Sequence, residues 1–169
     1  MERHGLNPRP SGRGARQLNW KRRHVLDILD GLDEADLRRP VLPSAWTPAG
    51  LVRHLAIDVE RFWFSAVFGG DPDAVASLAT PADAWQVPGD RPASEVFALY
   101  REEIARADEV IASSAPDQAP RWWPDYRDDQ PPSDLREAIL HVLVETATHA
   151  GHLDAVRELI DGKQFLVLD

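Results

Sequence analysis

Apolar residues recur at three- and four-residue intervals along four stretches of the chain, and this spacing predicts four amphipathic helices. The first covers residues 17–32, with Leu18, Val25, Ile28, Leu29 and Leu32 on one face. The second covers about 48–68, with Leu51, Leu55, Val59, Phe62 and Ala66 facing inward. Thr47 is its expected N-cap, and Pro48 suits the first helical position. The third covers 94–113 and presents Val96, Phe97, Tyr100, Ile104, Ala107 and Ile111. The fourth follows Ser133, read as its cap, and runs to about Asp161, roughly 40 Å at 1.5 Å per residue. Gly162 is its expected stop. The intervening stretches, 33–45, 69–91 and 115–132, are long and rich in proline, so the helices need not follow a simple up-down order. No stretch alternates as a strand does, and the expected fold is an all-α four-helix bundle with long connections.

The last helix carries the candidate chemistry. Its core stripe is Val142, Leu153, Val156 and Ile160, extended upstream by Leu135 and Ile139. With Glu145 at zero on a helical wheel, His149 lies at about +40°, His152 at about −20° and His141 at about −40°, while the stripe centres near +60°. Three histidines and a carboxylate therefore border the core. Asp154, Glu158 and Asp161 fall on the far side and read as solvated. Glu145 and His149, one turn apart, offer two metal ligands from one rigid element. The second helix repeats the arrangement: His54 and Asp58 sit one turn apart at the edge of its stripe, as a metal ligand and its orienting carboxylate would. Plain surface pairs have the same spacing. If Glu145 does face inward it needs a cation, and a metal, an arginine or a protonated histidine would each serve.

Charge and composition narrow the field. A formal net charge of −9 argues against nucleic acid as a partner, because phosphate binding needs basic surface. The absence of cysteine removes disulfides, thiolate metal sites and a cysteine nucleophile. Residues 1–15 are rich in Gly, Pro and Arg without an apolar segment, so they read as a flexible arm rather than a secretory signal, leaving 16–169 as one domain. No apolar run approaches the roughly 20 residues that a membrane-spanning helix needs, and a cytoplasmic protein is expected. His24, in a basic run with Lys21, Arg22 and Arg23, reads as surface. Trp85 is expected to cover one end of the bundle, and Trp122 and Trp123 to pack there or wall a pocket. The apolar tail, 164–168, is expected to dock on the bundle.

Two blocks carry a family resemblance: GLDEADLRRPVLPSAWTPAGLVRHLAIDVERFWF at 31–64 and SDLREAILHVLVETATHAGHLDAVRELIDG at 133–162. They resemble the DinB-like superfamily of four-helix bundles, in particular an actinobacterial branch related to mycothiol-dependent maleylpyruvate isomerases. The second block, with its run ETATHAGHLD followed by RELIDG, is the more specific. The resemblance implies one divalent metal at the bundle centre, zinc or else nickel, held by His54, Glu145 and His149. It further implies that this metal activates an external low-molecular-weight thiol of mycothiol type for S-transfer or isomerisation of an electrophile. Asp58 and His152 are then candidates for supporting the ligands or for acid/base work, and His141 is peripheral. The partners implied are the small-molecule thiol and its electrophile, and a homodimer is allowed. Two other readings use the same residues: a non-catalytic bundle with a structural polar network or a small-molecule site, and a metal-dependent hydrolase.

Overall fold

The computed structural model describes residues 12–78 and 83–165. In chain order its helices are α1 (Arg13–Ile28), α2 (Glu34–Leu37), α3 (Pro48–His54), a π-wound segment (Leu55–Phe68), α4 (Pro72–Leu78), α5 (Ala93–Ser113) and α6 (Leu135–Asp161). No strand occurs among the described residues, and no helix among them is long and apolar enough to cross a membrane. The all-α bundle expected from the spacing is therefore the observed fold. Its four long members are α1, α3 with its π-wound continuation, α5 and α6. Contacts concentrate between α1 and α6 and between α5 and the π-wound segment, and α6 also meets that segment. Gly14 lies against Ile139, His24 against Asp154, and Arg157 against the Ile28 carbonyl, so α1 and α6 run parallel.

Local signals set the helix ends. Thr47 caps α3, its Oγ1 accepting from the Gly50 N–H at 3.0 Å, with Pro48 in the first turn. Gly162 ends α6 in the left-handed conformation (φ 78°) and donates to the Glu158 carbonyl at 2.9 Å. The cap of α6 is Asp134, not Ser133. The Asp134 carboxylate accepts from the Glu137 N–H at 3.0 Å, while Ser133 donates its N–H and hydroxyl to Glu137 at 2.7 Å each.

Several expectations change. The first helix begins at Arg13, so 13–15 are helical and Ala15 is buried. The arm expected over 1–15 otherwise lies, for 1–11, outside the described residues. Two short helices occupy stretches read as connections. Asp33 caps α2, and Asp71 accepts from the backbone N–H groups of Asp73 and Ala74 ahead of Pro72 in α4. Glu34 of α2 accepts from the Ala93 N–H at 3.0 Å, which ties α2 to the start of α5. His24 is buried, not surface: its Nε2 lies 2.7 Å from Asp154 Oδ1, and Phe165 stacks on its ring at 3.9 Å. Asp154 is accordingly part-buried rather than solvated. Phe165 is as far as the docking of the tail is seen, since 166–169 lie outside the described residues.

The bundle interior holds buried ion pairs. Arg22, 2% exposed, donates to both oxygens of the fully buried Glu60 at 2.7 and 2.5 Å, to Asp108 at 2.8 Å and to Asn19 at 2.6 Å. Burial alone would lower the arginine's pKa, but Glu60 and Asp108 outweigh it and hold the group above its ordinary value. Glu103, also fully buried, accepts from Arg61 at 2.7 and 3.0 Å. These ties join α1, the π-wound segment and α5. Glu60→Ala leaves the Arg22 charge buried without its main partner, and should cost about 3–5 kcal/mol in urea unfolding, whereas exposed Glu102→Ala should be near neutral.

Several surface carboxylates, Asp134 among them part-buried, are held below the ordinary range: Glu34 by Arg38, Asp134 by the Glu137 N–H, Glu137 by the Ser133 hydroxyl, and Asp161 by Arg157. A depressed carboxylate stabilises the fold above its unfolded pKa and ceases to do so as pH falls through its folded value. The thermal midpoint should therefore fall once pH drops below about 4, the ordinary carboxylate pKa, and Asp161→Asn should remove part of that acid dependence.

Candidate metal centre

The candidate centre forms where α3 passes α6. His54 is the last residue of α3, and Glu145 and His149 stand one turn apart on α6. All three are part-buried, and each offers one ligand atom so that the three atoms lie within 4.8 Å of one another. The sequence pattern sets these residues at the edges of two apolar stripes, and the fold brings those edges together. His54 Nδ1 lies 2.8 Å from Asp58 Oδ2, which leaves its Nε2 as the free nitrogen. His149 Nε2 lies 3.3 Å from Glu145 Oε2. Two donors bound to one zinc at about 2.1 Å each stand roughly 3.4 Å apart in tetrahedral geometry, so this spacing fits a shared ion. Among the described residues, no arginine or lysine approaches Glu145 within 4 Å. The Glu145 side chain is also 40% exposed, unlike those of Glu60 and Glu103, which are fully buried and each have a guanidinium.

The other candidates divide. Asp58 is 41% exposed and backs His54. His152 is exposed, with its Nδ1 3.4 Å from His149 Nδ1. His141 is exposed and rests on Trp63 with ring centres 4.4 Å apart, one turn away from the cluster. Trp122 and Trp123 pack around Phe62, and Trp123 against Trp63 as well.

Two tryptophans that the helical pattern did not assign to the site belong to it. Trp85 stacks on His54 at 4.2 Å and 16° and meets His149 edge-on at 5.7 Å. It covers the candidate ligands rather than a bundle end. Gly50 makes this possible: a Cβ there would run into the Trp85 carbonyl oxygen, so only glycine lets the loop cross α3 at this height. Trp46 approaches His152 at 6.4 Å. Both tryptophans line a cavity of about 340 Å³ with Ser44, Ala45, Asp83 and Gln86. A tryptophan beside helix-breaking Pro and Asp residues was the available signal. Its target on another helix was not encoded in any spacing.

The electrostatics suit ligation by neutral imidazole. Burial pushes the His149 pKa below its ordinary value, and His54 and His152 push the same way. Glu145 opposes them without prevailing. His149 thus keeps its lone pair at neutral pH, which is the form a metal binds.

Comparison with known proteins places the chain. Residues 15–162 match the family model described as mycothiol-S-transferase, a DinB-like family. No curated protein and no solved structure matches the chain.

In metal-free protein, an NMR titration should place the His149 midpoint below about 6.5, the ordinary histidine value. Glu145→Gln removes the opposing negative charge and should lower it further. A midpoint that rises in Glu145→Gln would contradict this account of the site's field.

Proposed function

Because the chain belongs to the mycothiol-S-transferase family, we propose that it is a metal-dependent transferase that joins a low-molecular-weight thiol of mycothiol type to an electrophile. In this reading His54, Glu145 and His149 hold one divalent metal, zinc in the first place and nickel in the second. The observation that carries it is the donor set itself. Two imidazoles and one carboxylate converge at ligand spacing, and the carboxylate has no guanidinium or ammonium among the described residues to neutralise it.

When bound, the metal supplies Lewis acidity that favours thiolate over thiol. The protein's own groups do the rest. Asp58 accepts the His54 Nδ1 proton and so fixes the tautomer that presents Nε2. Trp85 holds the His54 ring in place from one face and keeps bulk water off both imidazoles. The reacting sulfur comes from the cosubstrate, because the chain has no cysteine. The thiol proton passes to His152 as the base. The sulfur then forms its bond to the electrophilic carbon, and the leaving group departs with its electron pair. The cavity beside Trp46 and Trp85 is the proposed seat for the non-reacting part of a substrate. Use of an intracellular thiol supports a cytoplasmic location.

The test is conjugate formation between mycothiol and a generic alkylating electrophile, with zinc-loaded full-length protein. Transfer should require both thiol and metal. Asp58→Asn should weaken metal affinity or activity by about 10–100-fold, as loss of a ligand's hydrogen-bond partner does. Rates unchanged by a chelator would overturn the metal reading, and ester cleavage without added thiol would assign hydrolysis instead.

A further inference from the structure

The outer face of α6 is the unexpected surface of this molecule. A helix packed on one side should be polar on the other. On a wheel with Leu140 at zero, the core-facing residues Val142, Thr146, Ala150 and Leu153 centre at about 235°. Opposite them, between about 0° and 100°, lie Leu140, Val144, Thr148, Gly151, Ala155 and Leu159, all exposed, with Glu158 and His141 at the two margins. Leu140, Val144 and Leu159 are 58%, 64% and 61% exposed. Trp20 of α1, 42% exposed, sits one turn before His24, whose partner Asp154 lies beside this stripe. Four of the five large hydrophobic residues exposed among the described residues thus lie on one side of the molecule, Tyr126 being the other.

The order of sizes along the stripe identifies its occupant. Reading inward from both ends, Leu140 matches Leu159, Val144 matches Ala155, and Thr148 matches Gly151, each pair symmetric about the midpoint between residues 149 and 150. A helix laid antiparallel on its own copy about a two-fold axis at that midpoint sets leucine against leucine at the ends. Nearer the centre, where the backbones approach most closely, it sets each β-branched side chain against a residue small enough to receive it: Val144 against Ala155, and Thr148 against Gly151. Gly151 supports this independently. It lies in mid-helix with nothing within 4 Å of where its Cβ would be, so its own chain gives no reason for a residue that weakens helices. Close approach of a second backbone gives one. The stripe spans about 29 Å from Leu140 to Leu159, comparable to the width of a patch burying about 800 Å² per partner, and Trp20 widens it.

We propose that the chain forms a two-fold dimer through antiparallel packing of α6 on α6, with Trp20 along one edge of the interface. Glu145, at about 140° on the same wheel, borders the other edge. The partner helix then walls the open side of the candidate metal centre in each copy, and both centres lie on the same face of the dimer.

Sedimentation velocity and light scattering of the full chain test this, and the mass readout does not depend on any metal. Wild type should show twice the 18.9 kDa chain mass. Gly151→Arg should show one chain's mass, with unchanged helical circular dichroism. The absence of native cysteine allows a register test. Val144→Cys mixed with Ala155→Cys should form a disulfide-linked dimer. Neither variant alone should do so, because two copies of the same position stand about 16 Å apart along the antiparallel pair at 1.5 Å per residue. Single-chain mass for wild type at every concentration would overturn the proposal. So would a Gly151→Arg protein that remains dimeric, or cross-linking of Val144→Cys to itself in preference to the mixture.

Discussion

A carboxylate taken out of water must find a cation, and the interior of this bundle meets that requirement twice. On one side of the long central helix, Glu60 and Glu103 are neutralised by Arg22 and Arg61. The Arg22 guanidinium reaches Glu60 and Asp108 at once, which fixes α1, the π-wound segment and α5 relative to one another. On the other side of the same helix, His54 faces Glu145 and His149 with no such cation from the chain among the described residues. The first network holds the helix that carries His54. On that other side the carboxylate keeps its contact with water, and two imidazoles stand beside it at ligand spacing.

The elements legible in the sequence were those with a signal on one helix. The apolar stripes, the Thr47–Pro48 start and the Gly162 stop depend on neighbours within a turn or two, so spacing alone located them. The edge positions of His54, Glu145 and His149 were visible for the same reason. That they share one point in space was not: it depends on the approach of α3 to α6, and the family resemblance supplied it. Arg22 and Glu103 illustrate the converse. Each stands on an apolar stripe, Arg22 between Leu18 and Val25 and Glu103 between Tyr100 and Ala107, and a charge at a core register is itself a signal. His24 was misread because its neighbours Lys21 and Arg23 are less buried while its own register faces α6. Ser133 and Asp134 are both good caps, and only the geometry of Glu137 decides between them. The two short helices were hidden by proline, which can equally break a helix or open one at its first turn. The π-winding of residues 55–68 had no sequence signature at all.

The loops finish what the helices begin. Trp85 reaches His54 from a connection with no periodicity, and it does so over the bare backbone of Gly50. Fold and donor set therefore come from the helices, while the wall beside the ligands comes from the connections. In the proposed transferase reading, Trp46 and Trp85 are the side chains beside the ligands that would meet the substrate.

The most direct test of the central claim is metal content, measured by elemental analysis of protein purified without chelator or nickel affinity, for wild type and His149→Ala side by side. The account predicts about one equivalent of zinc or nickel per chain in wild type, and its loss in the variant. Wild-type protein that is free of metal, and remains so after incubation with zinc, would contradict it.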